Sequence, residues 1–107
     1  MRYFEIVLER SAAFGSWDHV ISKMIEGYQN KQKTVCYAYV GYLIRHNADA
    51  LIAHDAKVVL YKMGQHYIHG AIEVGDKTYD TNIDRNLDLS QAAREEYSVE
   101  EIQKLLQ

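Results

Sequence analysis

Cys36 is the chain's only cysteine. Shortly before it stands Thr34, a good helix N-cap, and the stretch after it is apolar. With Thr34 as the cap, Cys36 takes the second helical position. The N–H groups of a first helical turn lack an acceptor within the helix, and the helix dipole there favours an anion. A cysteine so placed ionises more readily to thiolate, its nucleophilic form. The same N–H groups suit a developing oxyanion. The competing reading is a small buried hydrophobe, the commoner role for a lone cysteine.

A second set of chemically able side chains lies downstream. Gly75-Asp76 is a two-residue hairpin signal, with Gly first as a type II′ turn prefers. Taking these two as the turn pairs Val74 with Lys77, Ile72 with Tyr79, Ala71 with Asp80 and His69 with Asn82. Strand period two then puts His69, Ala71, Asp80 and Asn82 on one face, not committed to packing. Ile68, Ile72, Val74 and Tyr79 share the other, which reads as the core face. An imidazole base needs its second nitrogen held to fix the tautomer. Asp80, diagonal to His69, and Asn82, directly opposite, both qualify. A one-residue change in turn length would undo this parity.

The segment His69-Gly-Ala-Ile-Glu-Val-Gly-Asp-Lys-Thr-Tyr-Asp80-Thr-Asn resembles the histidine–aspartate hairpin of transglutaminase-like cysteine enzymes, within the papain-like superfamily. Those enzymes carry a His-Ala-aromatic-Val-Glu-Val stretch, a turn, and a Tyr-Asp stretch. Their nucleophilic cysteine starts an apolar helix upstream, and the order Cys36, His69, Asp80 matches theirs. The resemblance covers roughly residues 30–84. It departs from the family at Ala71, where an aromatic is common, and at Thr81-Asn82, where a proline usually follows the aspartate.

The resemblance implies one minimal transglutaminase-like domain over residues 1–107, with a papain-like core and a cleft at whose mouth the sulfur stands. Cys36 becomes the nucleophile, His69 the general base and acid, and Asp80 the group that orients His69. The Cys36 N–H would supply part of an oxyanion hole. Gln29, Asn30 and Gln32 are candidates for a side-chain donor, Gln32 first because it lies nearest the helix start, and Asn82 is a further contact at the site. The implied activity is that of a cysteine hydrolase: a peptidase, amidase or deamidase acting on a protein or peptide through an acyl-enzyme. An amine in place of water would make it a transglutaminase-like acyltransferase. No cofactor is implied. The alternative is a non-catalytic domain that uses the same fold to hold a protein partner.

The elements that must position these residues are readable in outline. Residues 3–9 are β-rich and alternate loosely, which predicts a strand. After Gly15, Ser16 is a reasonable N-cap, and Trp17, Val20, Ile21, Met24, Ile25 and Tyr28 follow helical spacing. The polar run from Gln29 to Lys33 makes a loop. From Val35 to Ile44 no residue is charged, as in a central buried helix. Arg45 and His46 suit its C-terminal dipole, and Asn47 an αL stop. Residues 48–56 stay unassigned. Strands are predicted at Lys57–Met63, Gln65–Val74 and Lys77–Asn82. Ser90 caps a short helical turn through Tyr97, and Ser98-Val-Glu-Glu101 is a capping box for a closing helix bearing Ile102, Leu105 and Leu106. The class is α+β: N-terminal helices, including the buried cysteine helix, packed on an antiparallel sheet.

Composition excludes other classes. At 107 residues with 48% hydrophobic and 25% charged side chains, the chain is an ordinary globular domain. Twelve basic residues against fifteen acidic ones leave a net charge of −3, which argues against a nucleic-acid binder. No apolar stretch is long enough to span a membrane, and the N-terminus does not read as a signal peptide. One cysteine forms no internal disulfide, which fits a cytoplasmic location. Of the five histidines, His66 and His69 are spaced to opposite strand faces, and His19, His46 and His54 are dispersed. No metal site is expected. Tyr37, Tyr39 and Tyr42 and Trp17 read mainly as core, and the pairs Glu95-Glu96 and Glu100-Glu101 as solvated helix faces.

Overall fold

Ser16 opens the first helix as its composition predicts. Its Oγ accepts a hydrogen bond from the His19 N–H at 3.3 Å, which satisfies one donor of the first turn. The computed structural model describes residues 15–30, 35–81 and 89–107. In it α1 spans Trp17–Asn30, so Gln29 and Asn30 are helical rather than part of a loop. Val20 and Met24 are fully buried, and Trp17, Ile21, Ile25 and Tyr28 pack along the edge of the core. The expected strand at residues 3–9 lies outside the described residues.

Helix α2 spans Cys36–Ala53. Val35 is its N-cap, with no side-chain cap bond, so Cys36 is the first helical residue and not the second. Thr34 lies outside the described residues. The helix does not stop at Asn47. It kinks there (φ −137, ψ 20) and continues. The Asn47 side-chain amide donates to the Leu43 carbonyl at 3.3 Å, so the side chain serves an acceptor that a kinked backbone serves poorly. Alanine-rich residues beyond it have the propensity to resume the helix. The left-handed residue comes later, at Asp55 with φ 57, beside Ala56 N–H donating to the Leu51 carbonyl at 2.9 Å.

α1 and α2 touch backbone to backbone. A Cβ added at Gly27 would overlap the Ala38 carbonyl, and one at Gly41 would overlap the Met24 carbonyl. Two glycines thus face each other's helix, where no side chain would fit.

Among the described residues four strands follow: β1 (Lys57–Met63), β2 (His66–Val74), β3 (Lys77–Tyr79) and β4 (Ala93–Ser98). They form one antiparallel sheet in the order β3-β2-β1-β4. Gly64 and Gly75, at φ 61 and 63, open the two hairpin turns. The β2–β3 register is the expected one, with Val74 opposite Lys77 and Ile72 opposite Tyr79. β3 ends at Tyr79, earlier than predicted, and Asn82 is outside the described residues.

β4 corrects the helical turn expected through Tyr97. The segment pairs along β1 from Lys57 to Lys62, an edge that would otherwise stand open. Its acids are not a solvated helix face. Glu95 accepts from the Tyr67 and Tyr97 hydroxyls at 2.9 and 2.7 Å, while Glu96 accepts from Arg94 Nε at 3.0 Å. Burial and these bonds to Glu95 push both tyrosine hydroxyls above their usual range.

Helix α3 (Val99–Leu106) begins at the expected capping box: Glu101 N–H donates to Ser98 Oγ at 3.0 Å and Ser98 N–H to Glu101 Oε1 at 2.8 Å. Ser98→Ala is expected to cost about 1 kcal/mol, read as a lower urea midpoint at unchanged slope. An unshifted midpoint would mean that Val99, Ile102 and Leu106, all buried, hold the helix without its cap.

The helices lie on one face of the sheet. Their core joins Met24, Tyr37, Val40 and Ile44 to Val58, Leu60 and Ile72 of the sheet and Ile102 of α3. One irregularity in the ladder matters for the site. Tyr61 pairs with His69 but Lys62 pairs with Tyr67, so Ile68 is an extra residue, a β-bulge. Past it, Tyr67 turns to the helix side, where its ring lies 5.8 Å from that of Trp17. The simple alternation expected for the core face therefore fails at Ile68, which is buried but outside this cluster; Tyr79, opposite Ile72, keeps its expected side but is 41% exposed.

Candidate functional site

The hairpin brings two of the three expected catalytic residues together. His69 Nε2 lies 3.2 Å from Asp80 Oδ2. His69 sits within β2, and Asp80 directly follows β3, so the turn at Gly75-Asp76 sets their diagonal relation. An ionised carboxylate only accepts, so Nε2 carries the hydrogen and a neutral ring keeps its lone pair on Nδ1. Nδ1 is buried and has no hydrogen-bond partner among the described residues. A buried polar atom left so is uncommon and calls for a reason.

This face is less open than expected. His69 is 6% exposed, and Ala71 and Val59, which share its side of the sheet, are buried too. The ladder runs on from His69 to Tyr61, directly opposite on β1, and from Tyr61 to Arg94, directly opposite on β4. The Tyr61 and His69 rings are 6.0 Å apart, tilted by 33°. Arg94 Nη1 donates to the Tyr61 hydroxyl at 3.1 Å. Arg94 also grips Glu73 through two bonds of 2.9 and 2.6 Å and bonds Glu96. These bonds hold the Glu73 carboxyl below its usual range and the guanidinium above its own. The Glu73 contribution is thus present above the ordinary carboxylate range and is lost as pH falls through the lowered value. The pair is partly exposed, so that contribution is small.

Cys36 lies at the start of α2, but it is 2% exposed and belongs to the core cluster. The thiol is covered rather than standing at the mouth of a cleft. It lies on the helix side of the sheet with Val58, Leu60 and Ile72, whereas His69, paired with Tyr61 and next to the helix-facing Gly70, points to the opposite side, and no hydrogen bond joins the two. What α2 meets on β2 is Gly70, not His69. A Cβ at Gly70 would come within 2.8 Å of the Tyr37 ring, so Gly70 is what lets the start of α2 approach β2. Tyr37 is fully buried; desolvation, with Cys36 adding to it, drives its hydroxyl far above the usual range and keeps it neutral.

Of the oxyanion candidates, only the placement of Gln29 and of the Asn30 backbone is described. Gln29 and Asn30 end α1, and Gln32 and Asn82 lie outside the described residues. Sequence reasoning missed Tyr61, Glu73 and Arg94. Finding them needs β4, whose pairing carries Arg94 to Tyr61 and whose sequence predicts a helical turn instead. Among the described residues no three His, Cys, Asp or Glu side chains come together to hold a metal ion, and no helix is long and apolar enough to cross a membrane. A groove of about 290 Å³ lies between the kinked end of α2 and the β2–β3 hairpin, and none of Cys36, His69 and Asp80 lines it. No protein-family model, curated protein or solved structure matches the chain.

Proposed function

We propose that the protein is a cysteine-dependent acyl-transfer enzyme, a minimal transglutaminase-like domain with a papain-like core that hydrolyses an amide or peptide bond. The observation that carries this reading is the His69–Asp80 pair with its buried, unpartnered Nδ1. That is the arrangement a general base requires: one nitrogen anchored, the other with a lone pair to use. The position of Cys36 at a helix start supports it further.

In this reading Nδ1 takes the Cys36 thiol proton once the two, on opposite sides of β2 in this structure, are brought together, and the thiolate attacks the carbonyl carbon of the substrate. The tetrahedral oxyanion rests on N–H groups at the start of α2. Collapse breaks the C–N bond, and the proton on Nδ1 passes to the leaving amine. A water molecule then gives Nδ1 a proton as it attacks the thioester, which releases the acid and restores the thiol. Asp80 keeps the ring in the tautomer both halves need.

A second reading, a non-catalytic domain that holds a protein partner, is favoured by the burial of Cys36. Native-state alkylation separates the two. An unassisted thiol is only a few per cent ionised at neutral pH, and its labelling falls about tenfold for each further pH unit. The enzyme reading expects iodoacetamide to label Cys36 at a rate that stays nearly level down to about pH 6 and exceeds the rate of global unfolding. Labelling that tracks unfolding and drops about tenfold per pH unit would reject the enzyme reading and favour the binding one.

A further inference from the structure

One residue per strand lines up across the sheet: Arg94 on β4, Tyr61 on β1, His69 on β2, and Asp80 just beyond β3. We propose that Tyr61, tethered by Arg94, is the positioning residue that fixes the His69 ring for its use as a base. The inference rests on the acyl-transfer reading for its purpose, but its physical content stands on the row itself.

The Asp80 bond holds only one edge of the imidazole. A ring anchored at Nε2 can still swing about that bond, and nothing among the described residues holds Nδ1 by a hydrogen bond. The Tyr61 ring, 6.0 Å away, supplies an aromatic neighbour that limits this swing. A tyrosine on a strand could itself change rotamer. Here its hydroxyl accepts from Arg94 Nη1 at 3.1 Å, and Arg94 is in turn clamped by Glu73 and Glu96. Two carboxylates on one guanidinium are more than surface stability requires, since exposed ion pairs contribute little. They make sense as a fixed post for the Tyr61 hydroxyl. The bulge at Ile68 adjoins this row, and bulges turn neighbouring side chains and increase local twist.

The test is the tautomer of the His69 ring, read by nitrogen NMR on the intact chain at neutral pH. Wild type is expected to show one dominant species with hydrogen on Nε2. In Tyr61→Leu the minor tautomer is expected to grow about two- to tenfold, the range that losing one aromatic pair supports. Arg94→Gln, which frees the hydroxyl but keeps the ring, is expected to show a smaller rise, and Tyr61→Phe a rise no greater than that of Arg94→Gln. A dispersed amide spectrum certifies the fold of each variant. Unchanged His69 signals in a folded Tyr61→Leu would overturn the proposal. Iodoacetamide labelling in the same samples reports separately on the nucleophile. Slow Cys36 labelling in wild type, with the tautomer still responding to Tyr61→Leu, would reject the enzyme reading and leave the positioning role standing.

Discussion

Gly27→Ala is expected to abolish cooperative folding, and Gly41→Ala to come close to it. Gly27 on α1 faces the Ala38 carbonyl on α2, and Gly41 on α2 faces the Met24 carbonyl on α1, with Tyr28 N 3.0 Å from where its Cβ would stand. Alanine gains about 1 kcal/mol over glycine in helix propensity, so the substitution would stabilise an isolated helix. The steric term outweighs this. Overpacking against side chains costs about 1–3 kcal/mol because side chains give way. Here the obstacle is helical backbone, which moves only if the whole helix moves. Separating α1 from α2 would open the contact that buries Val20, Met24, Val40 and Ile44. A domain has about 5–15 kcal/mol in total, so a loss above about 4 kcal/mol removes most of it. Urea unfolding followed by circular dichroism should show no two-state transition for Gly27→Ala. Gly64→Ala is the control. Nothing lies within 4 Å of its Cβ, and its cost is confined to φ +61, about 1–2 kcal/mol. A wild-type midpoint for Gly27→Ala would contradict the backbone contact.

The parts of this fold that were legible in the sequence are those set by local chemistry. Ser16, the Ser98–Glu101 box and the Gly75-Asp76 turn each act within a few residues, and each appears where its side chains and backbone freedom demand it. The His69–Asp80 pair followed from that turn, because a two-residue loop fixes which side chains share a face. What was not legible depended on distant partners. β4 carries Arg, two Glu and Tyr in a row, a composition that suits a helix as well as an edge strand, and only pairing with β1 decides it. The bulge at Ile68 has no glycine to announce it. The kink at Asn47 shows how one side chain can replace a backbone bond and let a helix run past its apparent end. Gly27 and Gly41 carried no local signal, since their role exists only when two helices cross. The burial of Cys36 is of this kind too. Its place at a helix start was readable, and the cover over it was not.

His69→Ala is expected to slow native-state alkylation of Cys36 by at least about tenfold at pH 6. The imidazole is the only group proposed to take the thiol proton, and an unassisted thiol at that pH is almost wholly protonated. Part of the gain in thiolate is offset because a more acidic thiol is a weaker nucleophile, which is why the expected factor is not larger. Asp80→Ala should give an intermediate loss, since the base remains but its 3.2 Å anchor is gone. The comparison needs equal stability, and any excess exposure of the thiol by unfolding acts in the opposite direction, raising the rate. The decisive measurement is therefore the ratio of iodoacetamide labelling rates of wild type and His69→Ala at about pH 6, both shown folded under the same conditions. The proposed thiol–imidazole partnership requires a ratio of about ten or more. A ratio near one would show that Cys36 and His69 do not act on each other.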